Sequence, residues 1–273
     1  MYLVALQMNS QADWTQNAAQ VESLLQRLPL ERPCLVLLPE NFACMGTPAD
    51  YQQLAEEVGS GRVQQQLSLW AQTFGIWLVA GSFPTKIPQQ SRVHTTSLVF
   101  NPQGELAGFY HKLHLFDVDV ADARGRYRES DSFIAGDALC VVDSPFGGLG
   151  LSICYDVRFP ELFHSLRLNG ANVILVPAAF TKVTGQAHWL PLLQARAIEN
   201  QCYVIAANQC GQHGGSRETW GHSVIIDPWG EVLAQQGSQP GVIAVPLDVQ
   251  KLESIRQSMP VQLHARLTPD WRK

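Results

Sequence analysis

The sequence predicts an α/β fold in which two sheets pack together with helices outside them. Three observations predict it. Short apolar runs suited to buried strands alternate with stretches whose apolar residues recur at helical spacing. The order of these elements in the first half of the chain returns in the second. The hairpin signal Leu98-Val-Phe-Asn-Pro-Gln-Gly-Glu-Leu-Ala is echoed by Val224-Ile-Ile-Asp-Pro-Trp-Gly-Glu-Val-Leu, with an Asn-Pro or Asp-Pro turn between two apolar runs in each. Two related halves within 273 residues argue for one domain over 1–273, with ample core for both.

Tyr2 to Met8 is a buried first strand, and Asp13 offers an N-cap to a helix whose Val21, Leu24, Leu25 and Leu28 share a face. Pro29 and Pro33 close that unit. Cys34 to Leu38 is a second buried strand, ending in Pro39-Glu40-Asn41. A helix from about Gly61 sets Val63, Leu67, Trp70 and Phe74 in register, Ile76 to Ala80 is the next strand, and the first hairpin follows. In the second half Leu149 to Ile153 is the counterpart of Leu3 to Gln7. Asn172 to Val176 ends at Pro177 as Leu38 ends at Pro39, and an amphipathic stretch from Ala187 to Asn200 precedes the strand Cys202 to Ala206. Asp248 to Met259 is a last amphipathic helix, with Leu252, Ile255 and Met259 aligned, and Pro260 to Lys273 is an extended tail.

Composition excludes several functions. A formal net charge of -5, with no basic cluster longer than a few residues, gives no footprint for nucleic acid. No segment approaches the roughly 20 apolar residues needed to span a bilayer. Met1 to Gln7 runs into an apolar stretch without a basic leader, so the expectation is a soluble, cytoplasmic protein. The six cysteines lack paired C-x-x-C spacing, which indicates neither a zinc site nor a disulfide framework.

Three positions suit chemistry. Cys154 sits where a buried strand gives way to a helix beginning at Pro160 and Glu161, so its thiol projects from a sheet edge with turn amides nearby; a small core cysteine is the other reading. Glu40 follows Pro39 at the end of an apolar strand, where partial desolvation raises a carboxyl pKa and suits it to general base work; otherwise it caps the next segment. Lys112, flanked by apolar residues after the first hairpin, either sets an ammonium against a developing oxyanion or snorkels to solvent. His111, His114, His164, His188 and His222 are candidate bases for a thiol, but none lies in a papain-like or caspase-like pattern. His111, His114, Asp117 and Asp119 alternate along an extended segment, so no metal site is expected from them.

Leu-Leu-Pro-Glu-Asn-Phe at 37–42, His-Lys-Leu-His-Leu-Phe-Asp at 111–117 and Ser-Ile-Cys-Tyr-Asp-Val-Arg-Phe-Pro-Glu at 152–161 resemble the three signature motifs of the nitrilase superfamily of carbon-nitrogen hydrolases. Segments 195–208 and 221–230 extend the resemblance over nearly the whole chain. It implies a four-layer αββα sandwich and a Glu-Lys-Cys triad: Glu40 as general base, Lys112 as oxyanion stabiliser and Cys154 as nucleophile. Glu129 matches a second glutamate that orients the lysine, and the Tyr155 amide completes the oxyanion hole. No metal or organic cofactor is implied. Within the superfamily, Asp117-Val-Asp-Val, the Glu129-Ser pair and Pro177-Ala-Ala-Phe-Thr with His188-Trp189 resemble the branch that holds omega-amidase and deaminated glutathione amidase. The expected substrate is therefore a small 2-oxo acid with a distal amide, deaminated glutathione first and 2-oxoglutaramate second. Thr181 and His188 join the candidate substrate-binding residues on the same ground. Arg124, Arg126 and Arg128, crowded before Glu129, form a positive cluster that can receive substrate carboxylates or simply face solvent; Arg158 is a further candidate, or a structural ion-pair residue. In the family such C-terminal tails cross a dimer interface, and a homodimer is expected, although Ala265 departs from a segment that commonly has two adjacent arginines.

Overall fold

The computed structural model describes residues 1–215 and 217–267. The first half runs β1 (Tyr2–Gln7), α1 (Trp14–Leu25), β2 (Cys34–Leu37), α2 (Pro48–Leu54), α3 (Arg62–Phe74), β3 (Trp77–Val79), β4 (Phe83–Lys86), β5 (Val93–Phe100) and β6 (Leu106–His111). A two-stranded ribbon follows, β7 (Asp117–Asp119) with β8 (Arg126–Arg128). The second half runs β9 (Val141–Val142), β10 (Gly148–Leu151), α4 (Pro160–Leu168), β11 (Ala171–Ala178), α5 (Lys182–Asn200), β12 (Tyr203–Asn208), β13 (Cys210–His213), β14 (Arg217–Trp220), β15 (Val224–Ile226), β16 (Val232–Gln235), β17 (Gly241–Pro246), α6 (Val249–Ser258) and α7 (Val261–His264).

The repeat seen in the sequence is a repeat of topology. In one sheet β1, β2 and β3 pair in parallel, β3 then pairs antiparallel with β5, and β5 with β6. In the other, β10, β11 and β12 pair in parallel, β12 then pairs antiparallel with β15, and β15 with β16. The crossovers between parallel strands are helical, as parallel pairing requires.

Alternate residues of β1 explain its uninterrupted apolar sequence. Leu3 and Ala5 pack into the core shared with the second sheet, whereas Val4 and Leu6 pack beneath α1 and α3, and all four are fully buried. A strand covered on both faces has no solvent side to mark with polar residues. The two sheets pack against each other with β1 on β12, and the Cys210 N–H donates to the Met8 carbonyl at 2.8 Å just past the ends of these two strands.

Asp13 caps α1 as expected, accepting from the Gln16 N–H at 2.8 Å, but α1 stops at Leu25 and leaves Leu28 outside the helix. β11 does not end at Pro177: it runs to Ala178, and α5 starts at Lys182, five residues before the amphipathic stretch becomes visible. The expected extended tail instead begins with the short helix α7, and 268–273 lie outside the described residues. Among the described residues no helix is long and apolar enough to cross a membrane.

Candidate active site

Glu40, Lys112 and Cys154 leave three different strands at one edge of the paired sheets. Glu40 lies three residues past β2, and the next residue, Asn41, takes a left-handed φ of 57°. Gly81 makes this turn possible, because a Cβ there would stand 2.0 Å from the Pro39 carbonyl oxygen. The turn is held by the Ser82 hydroxyl, which accepts from the Asn41 N–H at 3.2 Å, and by the Gln209 amide, which donates to the Glu40 carbonyl at 3.0 Å. Lys112 follows β6 directly. Its backbone donates to Thr95 O at 2.9 Å and accepts from the Gly136 N–H at 2.8 Å, which fixes the side chain's origin.

The Lys112 ammonium is clamped between two carboxylates, 2.8 Å from Glu40 Oε1 and 2.9 and 3.0 Å from the two oxygens of Glu129. The second Glu40 oxygen accepts from the Ala179 N–H at 2.8 Å, just past β11, and Glu129 Oε2 accepts from the Phe116 N–H at 2.6 Å. With only 2% of Lys112 and 3% of Glu40 exposed, water does not screen this cluster.

Cys154 opens a short 3-10 turn after β10 and adopts a φ of 50°, a strained left-handed geometry that lifts its thiol clear of the backbone. Asp156 holds the turn. Fully buried, it accepts from the Tyr110 hydroxyl and the Ile153 N–H, each at 2.8 Å, and from the His114 N–H at 3.1 Å. His114 Nδ1 lies 2.7 Å from the same carboxylate, which places its proton on Nδ1. Tyr110 and His114 flank Lys112 in sequence, so one carboxylate ties the Cys154 turn to the lysine's segment.

The charge states follow from these contacts. Burial alone would raise the Glu40 carboxyl, as the sequence suggests, but the Lys112 ammonium overrides it and holds Glu40 below its ordinary value. Glu129, partly buried and close to the ionised Glu40, is left raised despite the Lys112 ammonium. Burial works against the Lys112 charge, yet its two carboxylates keep it protonated well above the usual lysine range. Burial and then the neighbouring Glu40 charge push the Cys154 thiol well above its ordinary value. The resting site is therefore a neutral thiol beside an ionised Glu40 and a protonated Lys112.

A cavity of about 310 Å³ opens onto these groups. Five cations (Lys112, Arg124, Arg126, Arg128, Arg217) and three carboxylates (Glu40, Glu129, Asp131) line it, an excess that suits an anionic ligand. Tyr155 and Thr181 line it as well. The three arginines of the ribbon are not equivalent. Arg128 is committed to Asp119 at 3.0 Å and to the carbonyls of Val118 and Tyr127, Arg124 stacks over Tyr127 at 5.1 Å, and Arg126 is exposed. Arg158 and His188 do not line the cavity: the Arg158 guanidinium lies over the rings of Tyr155 and Phe180 and 3.3 Å from the exposed His188 ring. Sequence reasoning missed Arg217, Tyr51 and the bracing carboxylate of Asp156; the first two have no local pattern, while Asp156 lay within the third motif. Among the described residues no three His, Cys, Asp or Glu side chains gather to hold a metal ion.

This fold and site define a carbon-nitrogen hydrolase. The chain belongs to the carbon-nitrogen hydrolase family, whose profile matches residues 3–257. It is 45% identical over 263 residues to the deaminated glutathione amidase of Yersinia enterocolitica, covering 96% of this chain and 91% of that one. To the human protein of the same name it is 38% identical over 270 residues, covering 97% and 82%. The Caenorhabditis elegans NitFhit crystal structure superposes with a TM-score of 0.90 at 38% identity, covering 97% of this chain and 65% of the longer one. Saccharomyces cerevisiae Nit3, of branch 10 of the nitrilase superfamily, gives 0.85 at 29% identity, covering 98% and 97%.

Proposed function

We propose that this chain is an amidase that cleaves the distal amide of a small 2-oxo acid through a thioester on Cys154, with deaminated glutathione as its substrate. The observation that carries the reading is the buried Glu40–Lys112–Glu129 cluster beside a thiol at a left-handed turn, facing a cationic cavity. The similarity to proteins named deaminated glutathione amidase supports the choice of substrate.

Each step follows from the resting charges. Glu40 takes the thiol proton as sulfur attacks the amide carbon, and the carbonyl π pair moves onto oxygen. The Lys112 ammonium and the Tyr155 amide hold that oxyanion. The oxyanion collapses, the C–N bond breaks, and the protonated Glu40 gives its proton to the departing nitrogen. The leaving amine is ammonia from a primary amide and cysteinylglycine from deaminated glutathione. Water then loses a proton to Glu40 and adds to the thioester, and the sulfur leaves with that proton. Glu129 anchors the lysine throughout. The wider expectation of a cytoplasmic homodimer belongs to the same proposal: the six cysteines are free thiols, and exposed apolar side chains such as Ile198 and Trp229 offer a surface for a second copy.

Comparing purified protein on deaminated glutathione and on 2-oxoglutaramate tests the substrate. The expected result is a kcat/KM at least about tenfold higher for deaminated glutathione, as one well-made charge contact provides. A strong preference for 2-oxoglutaramate instead assigns the chain omega-amidase activity.

A further inference from the structure

Arg217 differs from every other cation of the cavity. Lys112 is engaged by two carboxylates, Arg128 by Asp119 and two carbonyls, and Arg124 stacks on Tyr127. Arg217 lines the cavity at the start of β14, and its Nε is wholly buried without a hydrogen-bond partner among the described residues. The adjacent Glu218 does not serve it, because that carboxylate pairs with Lys182 at 2.8 Å. A buried guanidinium donor left unmatched is uncommon and asks for an acceptor from outside the protein.

The hairpin that carries Arg217 is built to hold it still. His213 Nδ1 donates to Ser10 O at 2.8 Å, and its Nε2 accepts from the Thr219 hydroxyl at 2.6 Å. Burial keeps this imidazole neutral, with its pKa lowered to about 4, so the clamp persists at physiological pH. On the other strand the Trp220 N–H donates to Phe180 O at 2.9 Å, and the Trp220 side chain lies against Gly185 of α5, where a Cβ would come within 2.4 Å. Arg217 is thus a fixed cation on one wall of the cavity, in contrast to the exposed Arg126 on the β7–β8 ribbon.

We propose that Arg217 is a specificity-determining residue whose guanidinium receives a carboxylate of the substrate, so that the cavity selects anionic amides over neutral ones. The inference rests on the amidase reading above and deepens it. A planar guanidinium matches a carboxylate through two parallel N–H donors, which a lysine ammonium does not reproduce. Deaminated glutathione carries two carboxylates, one on its 2-oxo acid end and one on its glycine, and the arginine reads one of them.

The test is steady-state kinetics of the full chain and its Arg217→Gln and Arg217→Lys variants. The substrates are deaminated glutathione, 2-oxoglutaramate, and the same amides with one carboxylate capped as a methyl ester. The expected result is a KM raised about tenfold to a hundredfold in Arg217→Gln, with kcat within about threefold, for substrates bearing the carboxylate it reads. The capped analogue should show no such change, and Arg217→Lys should fall between. Losses equal for charged and capped substrates at both ends, or confined to kcat, overturn the proposal and make Arg217 a support for Glu40. Thermal melting of both variants separates either outcome from misfolding, and the lysine variant keeps the charge if the glutamine variant unfolds. Turnover of 2-oxoglutaramate but not deaminated glutathione by the wild type removes the substrate reading alone, since Arg217 is then still read on 2-oxoglutaramate and its ester.

Discussion

Lys112→Ala is expected to abolish measurable amide hydrolysis and to cost about 3–5 kcal/mol of stability, the range for breaking a buried ion pair from one side. The activity loss has two sources. One is the missing oxyanion donor of the proposed mechanism, typically worth ~10²–10³ in kcat. The other is Glu40, whose ionised form depends on the ammonium 2.8 Å away. Once the lysine is gone, Glu40 and Glu129 face each other buried and unpaired, so both carboxyl pKa values rise. A folded-state carboxyl pKa above the unfolded one destabilises at high pH and is relieved as the carboxyl protonates. The stability deficit of the variant should therefore be largest at neutral pH and shrink towards pH 5, as thermal melting at the two pH values would record. A variant as stable as the wild type at pH 7 would mean that the cluster is solvated.

Asp156→Asn is expected to lower kcat by about tenfold to a hundredfold, the scale set by a misplaced reacting group, while KM changes little. In the proposed reaction Asp156 touches no reacting atom and acts as a positioning residue. All of its acceptor capacity is used by the Tyr110 hydroxyl, the Ile153 and His114 amides and the His114 ring. An asparagine turns an NH₂ group towards donors on one side, which leaves buried groups unsatisfied and costs about 2–4 kcal/mol. The Cys154 turn, at a φ of 50°, is strained and persists only while its surroundings enforce it. Kinetics with the preferred amide would check this, and an unchanged kcat would show that the turn is held without Asp156.

The parts of the fold legible in sequence are those that local chemistry decides. Cys34 to Leu38 reads as a strand because both of its faces are covered, and Asp13 reads as a cap because its own carboxylate serves the first turn. The matched hairpins revealed the repeat because Pro and Gly mark turns whatever surrounds them. β17 was invisible: its pairing with β1 joins residues more than two hundred positions apart, and a half-buried edge strand carries little pattern. The hairpins β7–β8 and β13–β14 are too short and polar to show strand periodicity, yet they carry most of the cavity's cations.

The site divided in the same way. Glu40, Lys112 and Cys154 stood out because each follows an apolar run that would not otherwise hold it. The direction of the Glu40 shift did not, because it depends on an ammonium 72 residues away in the chain. Arg158 and His188 lie near the cavity without lining it, since Tyr155 and Phe180 present their rings there instead. Arg217 carried no signal because a lone arginine after Gly-Gly-Ser looks like any hairpin charge until the fold buries its Nε.

The central claim is that the acyl group of the substrate passes through Cys154. Mass spectrometry of wild-type protein, acid-quenched during turnover of deaminated glutathione and digested, tests it most directly. The account predicts an added 2-oxoglutaryl mass on the peptide that contains Cys154, lost on treatment with hydroxylamine, as a thioester should be. An acyl group on any other residue, or unmodified protein together with undiminished turnover by Cys154→Ala, would contradict it.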